Sequence, residues 1–536
     1  MREANIKIAR ISWSNYRRLC DGAIEVRQHL VLVGPNASGK SSVLHAVALC
    51  LGSGSELRSI TVRDFTDADQ RLQVEVELDE LDWDDRAAFP DEVDITVGGT
   101  VTVRVKATVD PSDPDATMVT ERFFPFAGHP RRPSTAQMQR FGFAFVPAAR
   151  SLGRELAGAQ GVARHLLTGL DMTADGPALA GAQKALREAL AASATIGDFR
   201  AQLATRLSEA LPRPVTNDDV QLVMSSDLLE SPLAGTTLTL NDGGTTAPLQ
   251  EQSDGVQALS VLALMAMLTT ESRVVAVDEP ETYLHPTAQR TLVSALLAGP
   301  TQRILATHSS AVTSAAEPLH IAALGADGRV RQLPTGAAIG APLQLLRDWR
   351  QALIEPLTAR LIVLVEGASD RILLEAIADF LGHNLDRWDV AVFQLDGSGG
   401  FSAAWAFFGA PGLNLHVRGI CDDDAKDEWA SVVGVPSSAL DSSGFLVVHP
   451  DLEGYYVGAL GNARVLELIR ATSLISQRKL LGNSGKSDAA QLTPDELALA
   501  CRRNKTAAAA SLAVGLEARD VAALTSLADF VRSLAP

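Results

Sequence analysis

Two short stretches place carboxylates where an apolar strand should end. In LIVLVEGASDRILL, Leu361 to Val365 lead into Glu366, and Asp370 follows four positions later. In VRGICDDDAK, Asp422, Asp423 and Asp424 close another apolar run. Like charges side by side repel, and none of them favours a strand. Glu366 belongs at a strand end and Asp370 on the first turn of the next helix, so both can face one point. Asp422 and Asp424 are two apart, so an extended chain puts them on one side and Asp423 on the other. A solvated turn is the plain alternative. If the two strand ends adjoin in a parallel sheet, however, the acids converge on a pocket that only divalent cations relieve. Oxygen-only ligands favour Mg²⁺ or Mn²⁺ over Zn²⁺.

A second chemistry is written near the start of the chain. GPNASGKS, Gly34 to Ser41, fits GxxxxGK[ST] between an apolar strand and a helical stretch. Its glycines let successive N–H groups turn inward on phosphates at a helix N-terminus. Gly34, Asn36, Gly39, Lys40, Ser41 and Ser42 are therefore expected to bind ATP, with Lys40 on the β/γ-phosphates and Ser41 on Mg²⁺. RVVAVDEPETYLHP ends a buried strand in Asp278 and Glu279. Such adjacent acids are costly without a cation. Asp278 would hold Mg²⁺ and Glu279 would polarise the attacking water. RILATHSS repeats the geometry, which puts His308 within reach of the γ-phosphate.

These residues need two α/β sheets to carry them. At 536 residues, 46% apolar and 21% charged, the chain has the length and composition of a globular protein of two or three domains. Residues 1–150 read as a hairpin, the phosphate-loop strand and a β-rich stretch containing TVTVRVKATV. Residues 151–212 are Ala/Leu-rich, and Phe199, Leu203, Leu207 and Leu211 form one stripe of a helical insert. That stripe packs on its own lobe or forms a dimer contact. Residues 213–357 return to strand–helix alternation, and 358–536 begin a second parallel α/β sheet with strands near 361–365, 390–395 and 417–421. A net charge of −17 opposes a nonspecific nucleic-acid coat but permits a local basic groove. Four scattered cysteines form no CxxC pair, which fits a reducing compartment. With a polar N-terminus and no apolar run long enough for a bilayer, the expectation is a cytoplasmic protein without a membrane partner.

QSDGVQ, with Ser253 and Gly255, resembles the signature loop of ABC-type ATPases, in which one protomer's loop meets the γ-phosphate held by the other. The opening NYRRL…IEVRQHLVLVGPNASGKSSVL resembles SMC- and RecF-like DNA-repair ATPases. EGASD, DDD, HPDLEGYYV and RRNKTAAAASLA, in that order behind such an ATPase, resemble the TOPRIM domain of OLD-family nucleases, which include Gabija-type and retron-associated antiviral nucleases. The fold implied is an ABC/SMC-like P-loop ATPase lobe with a helical insert, followed by a TOPRIM parallel-sheet α/β domain. The resemblance implies catalytic roles for Glu366, Asp422, Lys505 and, in the ATPase, Glu279. It implies metal ligation by Glu366, Asp370, Asp422, Asp424 and Glu453, with Lys505 offsetting charge on the scissile phosphate. It also implies an ATP-binding, Mg²⁺- or Mn²⁺-dependent DNA endonuclease in antiphage defence, a homodimer or tetramer, and a UvrD-like helicase or reverse-transcriptase partner.

Two other functions compete. One is an SMC/RecF-like clamp whose TOPRIM domain is inert, and the other a topoisomerase-like strand-passage enzyme. The latter needs an attacking tyrosine, and Tyr455 and Tyr456 fall in a helical segment, so water is the better nucleophile. Arg464, Arg470, Arg478, Lys479, Lys486, Arg502, Arg503 and Lys505 gather late in the chain and read as a DNA-backbone groove or as a solvated face. Whether ATP activates or blocks cleavage stays open.

Overall fold

Alternation of apolar and polar residues over Lys7–Ser14 (β1), Leu72–Asp79 (β4) and Thr100–Val109 (β6) builds an antiparallel sheet. Its order is β2-β1-β4-β6-β5, with β2 at Gly22–Glu25 and β5 at Val93–Asp94; β7, Met118–Phe123, also pairs with β6. The computed structural model describes residues 6–52, 54–109, 118–126, 129–148, 238–242, 245–252, 273–282, 284–334, 349, 352–395, 397–482 and 484–536, with scattered runs of one to three residues between 167 and 260. The chain forms two compact units, residues 1–147 with 272–536, and residues 148–271. In the second, Thr239–Asp242 (β9) and Thr245–Pro248 (β10) form an antiparallel hairpin. The stripe from Phe199 to Leu211 lies outside the described residues.

The phosphate-loop sheet runs β14-β13-β3-β12-β11-β8. Its strands are His29–Val33 (β3), Phe143–Val146 (β8), Val274–Asp278 (β11), Gln302–Thr307 (β12), Ile321–Leu324 (β13) and Val330–Gln332 (β14). All neighbours are parallel except β13 and β14. The unbroken apolar runs Leu30–Val33 of β3 and Val274–Val277 of β11 follow, because helices and a second sheet cover both faces. Helix Lys40–Leu51 contacts strands of both sheets and buries most of its surface. Gln302 stitches the sheets together. Its Oε1 accepts from the Ile8 N–H at 2.7 Å, and its Nε2 donates to the Ile8 and Arg27 carbonyls at 2.9 and 2.8 Å.

The C-terminal sheet is fully parallel, in the order β16-β15-β17-β18. Its strands are Leu361–Val365 (β15), Val390–Gln394 (β16), Val417–Asp422 (β17) and Phe445–Val448 (β18). The first three match the sequence expectation. The four residues of FLVV are too few to announce β18 by periodicity, yet β18 is what flanks the aspartates. Helices Ala368–Phe380 and Lys505–Gly515 pack on each other, bringing the chain's last basic motif to the β15 end. The architecture is thus an α/β lobe built around the phosphate-loop sheet, followed by a second α/β domain with a fully parallel sheet.

His29 opens β3 and is 3% exposed. Its Nε2 bonds the Leu297 carbonyl at 3.0 Å, and its Nδ1 accepts from the Arg303 N–H at 3.3 Å, so the ring sits neutral. Burial, then the neighbouring His320, pulls its pKa down to about 4. A depressed histidine contributes stability above the unfolded value near 6.5 that is lost as pH falls towards 4. Thermal unfolding should show a loss of about 2–3 kcal/mol across that window, with a flatter slope in His29→Gln.

Candidate nucleotide and metal sites

The phosphate loop is shaped by what glycine permits. At Gly34 a Cβ would lie 2.3 Å from the Leu324 carbonyl oxygen, and Gly39 has φ 108° with Leu19 Cδ2 2.4 Å from where a Cβ would stand. The loop borders a cavity of about 840 Å³ that Asn36, Gly39, Lys40, Ser41, Ser42, Glu279 and His308 help to line. Lys40 donates to the Gly34 and Pro35 carbonyls, each at 2.9 Å. Burial pulls its pKa down to about 8 against the opposing pull of Asp278, Glu279 and Glu281. Asp278 ends β11, bonds the Ser41 hydroxyl, and keeps Oδ1 buried without a partner. Glu279 follows at φ 48°, and its N–H donates to the Ala306 carbonyl at 2.8 Å. His308 Nε2 stands 3.9 Å from Glu279 Oε1. Burial and then Lys40 lower its pKa, which favours a neutral ring. Seven of the residues named from sequence thus share one cavity, with Asp278 and Gly34 beside it. Ser253 and Gly255 lie outside the described residues.

The cavity also takes in Arg17, from the NYRRL stretch, and Arg63 and Phe65, none of which was named as a site residue. Arg17 is fixed to Asp64 at 2.7 Å by a contact 47 residues apart in sequence, a distance that no local pattern reveals.

In the C-terminal sheet the parallel order β15-β17-β18 brings three strand ends side by side. The Asp422 N–H donates to Glu366 Oε1 at 3.2 Å, and Asp422 Oδ1 accepts from the Leu452 N–H at 3.0 Å. Burial, then Glu366 and Asp370, pushes the Asp422 pKa up to about 7. Burial also raises Glu366 and Asp370. Asp370 folds back to accept from the Gly367 N–H at 3.0 Å, so part of its role is to cap its own helix. The expectation for the aspartate run needs correction in one respect. The strand stops at Asp422 and the chain turns through Asp423–Ala425, so extended-chain alternation does not govern Asp424. Asp424 is exposed on that turn, although Glu366 feels its charge. Asp423 pairs with His449 Nδ1 at 2.9 Å.

Glu453 is 1% exposed with neither carboxylate oxygen hydrogen-bonded, and Lys505 Nζ lies 4.0 Å away. Burial resists charge on Lys505, but Glu453, Asp422, Asp370 and Glu366 together raise its pKa. One lysine is therefore held charged by four acids that lie at or just beyond the ends of β15, β17 and β18. Among the described residues, no three His, Cys, Asp or Glu side chains are already arranged to hold an ion. The donor set nevertheless fits a hard divalent cation: every donor is an oxygen, and Glu453 is buried with its lone pairs unused. The sequence reading missed Asp451, which caps helix Leu452–Leu460 through the Gly454 N–H at 2.7 Å. Arg502 grips the same carboxylate at 2.5 and 3.0 Å. An aspartate just before a helical run was the available signal.

Of the eight late basic residues, four are already committed. Arg464 holds the buried Asp520 at 2.7 Å, Arg470 meets Asp488 at 3.1 Å, Arg502 meets Asp451, and Lys486 pairs with Glu496. Among the described residues, no helix is long and apolar enough to cross a membrane.

Fold and sites together define a P-loop ATPase joined to a TOPRIM domain. A family profile described as "AAA domain, putative AbiEii toxin, Type IV TA system" matches residues 30–314, more than half of the chain. A second, "Overcoming lysogenization defect protein-like, TOPRIM domain", matches residues 357–424. The chain belongs to that AAA family and is an OLD-type fusion of ATPase and TOPRIM domains. No curated protein matches its sequence. Among solved structures, the C-terminal region of the Xanthomonas campestris pv. campestris OLD protein is 23% identical, covering 33% of this chain and 95% of that one, with a TM-score of 0.28. The corresponding Burkholderia pseudomallei region is 21% identical over 33% and 98%, with a TM-score of 0.26. The Pyrococcus furiosus Smc head domain is 14% identical over 64% and 100%, with a TM-score of 0.38.

Two outcomes follow from this geometry. Lys40→Ala should weaken ATP binding about 10–100-fold by titration, because a charge-assisted contact is worth about 1.5–3 kcal/mol. Arg464→Met should cost about 3 kcal/mol in chemical denaturation by leaving the buried Asp520 carboxylate without its cation.

Proposed function

We propose that this chain is an ATP-binding and ATP-hydrolysing, divalent-metal-dependent DNA endonuclease. The observation that carries the proposal is the cluster of acids Glu366, Asp370, Asp422 and Glu453 at or just beyond adjoining strand ends, with Asp370 and Glu453 buried and all four raising the pKa of Lys505. A hydrolase that cuts phosphodiesters needs positive charge where the substrate's own negative charge accumulates. An apo pocket this acidic repels DNA until cations fill it. Mg²⁺ or Mn²⁺, when bound, would polarise water and steady the leaving oxygen. Glu366 and Asp422 would supply ligand oxygens from two neighbouring strands, with Asp370 and Asp424 beside them and Glu453 for a second ion. Lys505 holds its proton and would neutralise charge on the phosphate.

In the other lobe, Lys40 and the loop N–H groups would bind the triphosphate, Asp278 and Ser41 the Mg²⁺, and Glu279 would orient water. Ser253 and Gly255 of a second copy would complete that site, which makes the working form a homodimer or tetramer. Defence against phage, in a reducing cytoplasm and beside a helicase or reverse-transcriptase partner, is the role that family likeness supports. The competing function is a DNA clamp with a non-catalytic TOPRIM domain, favoured by the acids not being pre-gathered as a ligand set among the described residues.

Supercoiled plasmid with Mg²⁺ or Mn²⁺ separates the two. Wild-type protein should nick it, leaving ends without covalently attached protein, and Glu366→Ala should lose about a hundredfold or more of that rate. Plasmid left intact by wild type with either ion, yet bound in an ATP-dependent manner, identifies the clamp.

A further inference from the structure

Glu281 is the third acid of VDEPE, and neither the nucleotide chemistry nor the metal pocket uses it. It does not line the nucleotide cavity. Its Oε1 accepts two bonds, from the Thr307 hydroxyl and from the His308 backbone N–H, both at 2.7 Å. Its Oε2 is buried without a partner. Thr307 is fully buried, and its Oγ1 in turn accepts from the Ser309 N–H at 2.9 Å. Ser309 Oγ donates to Gln289 Oε1 at 2.6 Å, and Gln289 Nε2 donates back to the Glu281 carbonyl at 3.3 Å and the Leu284 carbonyl at 2.8 Å. The ring of bonds closes on itself. It ties the turn after β11, which bears Asp278 and Glu279, to the three residues by which β12 leaves the sheet.

We propose that Glu281 is a positioning residue for ATP hydrolysis, holding His308 within reach of Glu279 without touching nucleotide. This rests on the ATPase function proposed above. A carboxylate buried at this point carries a desolvation cost. It is offset by two charge-assisted bonds, and those bonds fix where the next backbone unit points. His308 Nε2, 3.9 Å from Glu279 Oε1, is the group whose place they set. Without Glu281, the His308 N–H and the Thr307 hydroxyl lose their shared acceptor, and the strand end is free to shift while the phosphate loop stays intact.

The test compares full-length wild type, Glu281→Ala, Glu281→Gln, His308→Ala, Glu279→Gln and the Glu281→Ala/His308→Ala double variant. Glu281→Ala should lower ATPase kcat about 10–100-fold, the usual loss for a group that orients another, with ATP Kd changed less than about threefold. Glu281→Gln keeps an acceptor oxygen and should recover most of the rate. The double variant should be no slower than His308→Ala alone. In nucleotide-free protein, hydrogen exchange at the His308 amide should quicken about tenfold or more in Glu281→Ala and little in Glu281→Gln. Should Glu281→Ala not fold, Gln289→Ala opens the same ring from its far side and should lower kcat with Kd unchanged. An unchanged kcat in Glu281→Ala, equal losses in the Ala and Gln variants, or additive losses in the double variant overturn the proposal. Wild-type turnover no greater than that of Glu279→Gln refutes ATP hydrolysis itself. Turnover above it with an unaffected Glu281→Ala refutes only the role of Glu281.

Discussion

A carboxylate buried at the end of a parallel strand loses its hydration and gains little in return unless positive charge is placed beside it. This chain does so twice. In the first lobe Lys40, its own pKa depressed by burial, is the positive charge that Asp278 feels, and in the second Asp422 is driven up to about 7 by burial among like charges. Parallel sheets make such sites natural. Every strand end on one edge points the same way, and adjoining strands bring their terminal residues together.

The two lobes solve the same electrostatic problem with different counter-charges. Lys40 bonds two loop carbonyls at the floor of its cavity, and the Ser41 hydroxyl reaches Asp278. In the TOPRIM domain Lys505 arrives from a helix more than eighty residues beyond Asp422, 4.0 Å from Glu453, and four acids together raise its pKa. One lysine cannot neutralise four carboxylates, and that imbalance is the physical basis for proposing divalent ions at this pocket. The rest of the C-terminal basic cluster is spent largely on stability. Arg464 and Arg502 each grip an aspartate that organises a helix start, which leaves Arg478, Lys479 and Arg503 as the better candidates for phosphate contact.

Much of the fold was legible because its signals are short-range. The strand–loop–helix of GPNASGKS, the five apolar residues before Glu366 and the alternation in TVTVRVKATV each encode their own conformation. The Asp422–Asp424 argument failed at its second residue because strand alternation holds only while the chain stays extended, and the turn after Asp422 ends it. β18 escaped notice because four apolar residues fit a strand and a buried helical turn equally well. Asp451 escaped because its partner Arg502 is fifty-one positions away.

What the sequence determined by itself was the identity of the chemical groups and their local setting: a phosphate loop, an Asp-Glu pair closing a buried strand, a Glu and an aspartate run at two further strand ends. Glycine content and hydrophobic period depend on neighbours a few bonds away, so they can be read without a fold. Only the tertiary structure decided that β17 lies between β15 and β18, that Lys505 faces Glu453, and that Glu281 bonds the backbone of His308. Those are meetings between residues tens of positions apart, set by which sheet edges adjoin and which helices pack.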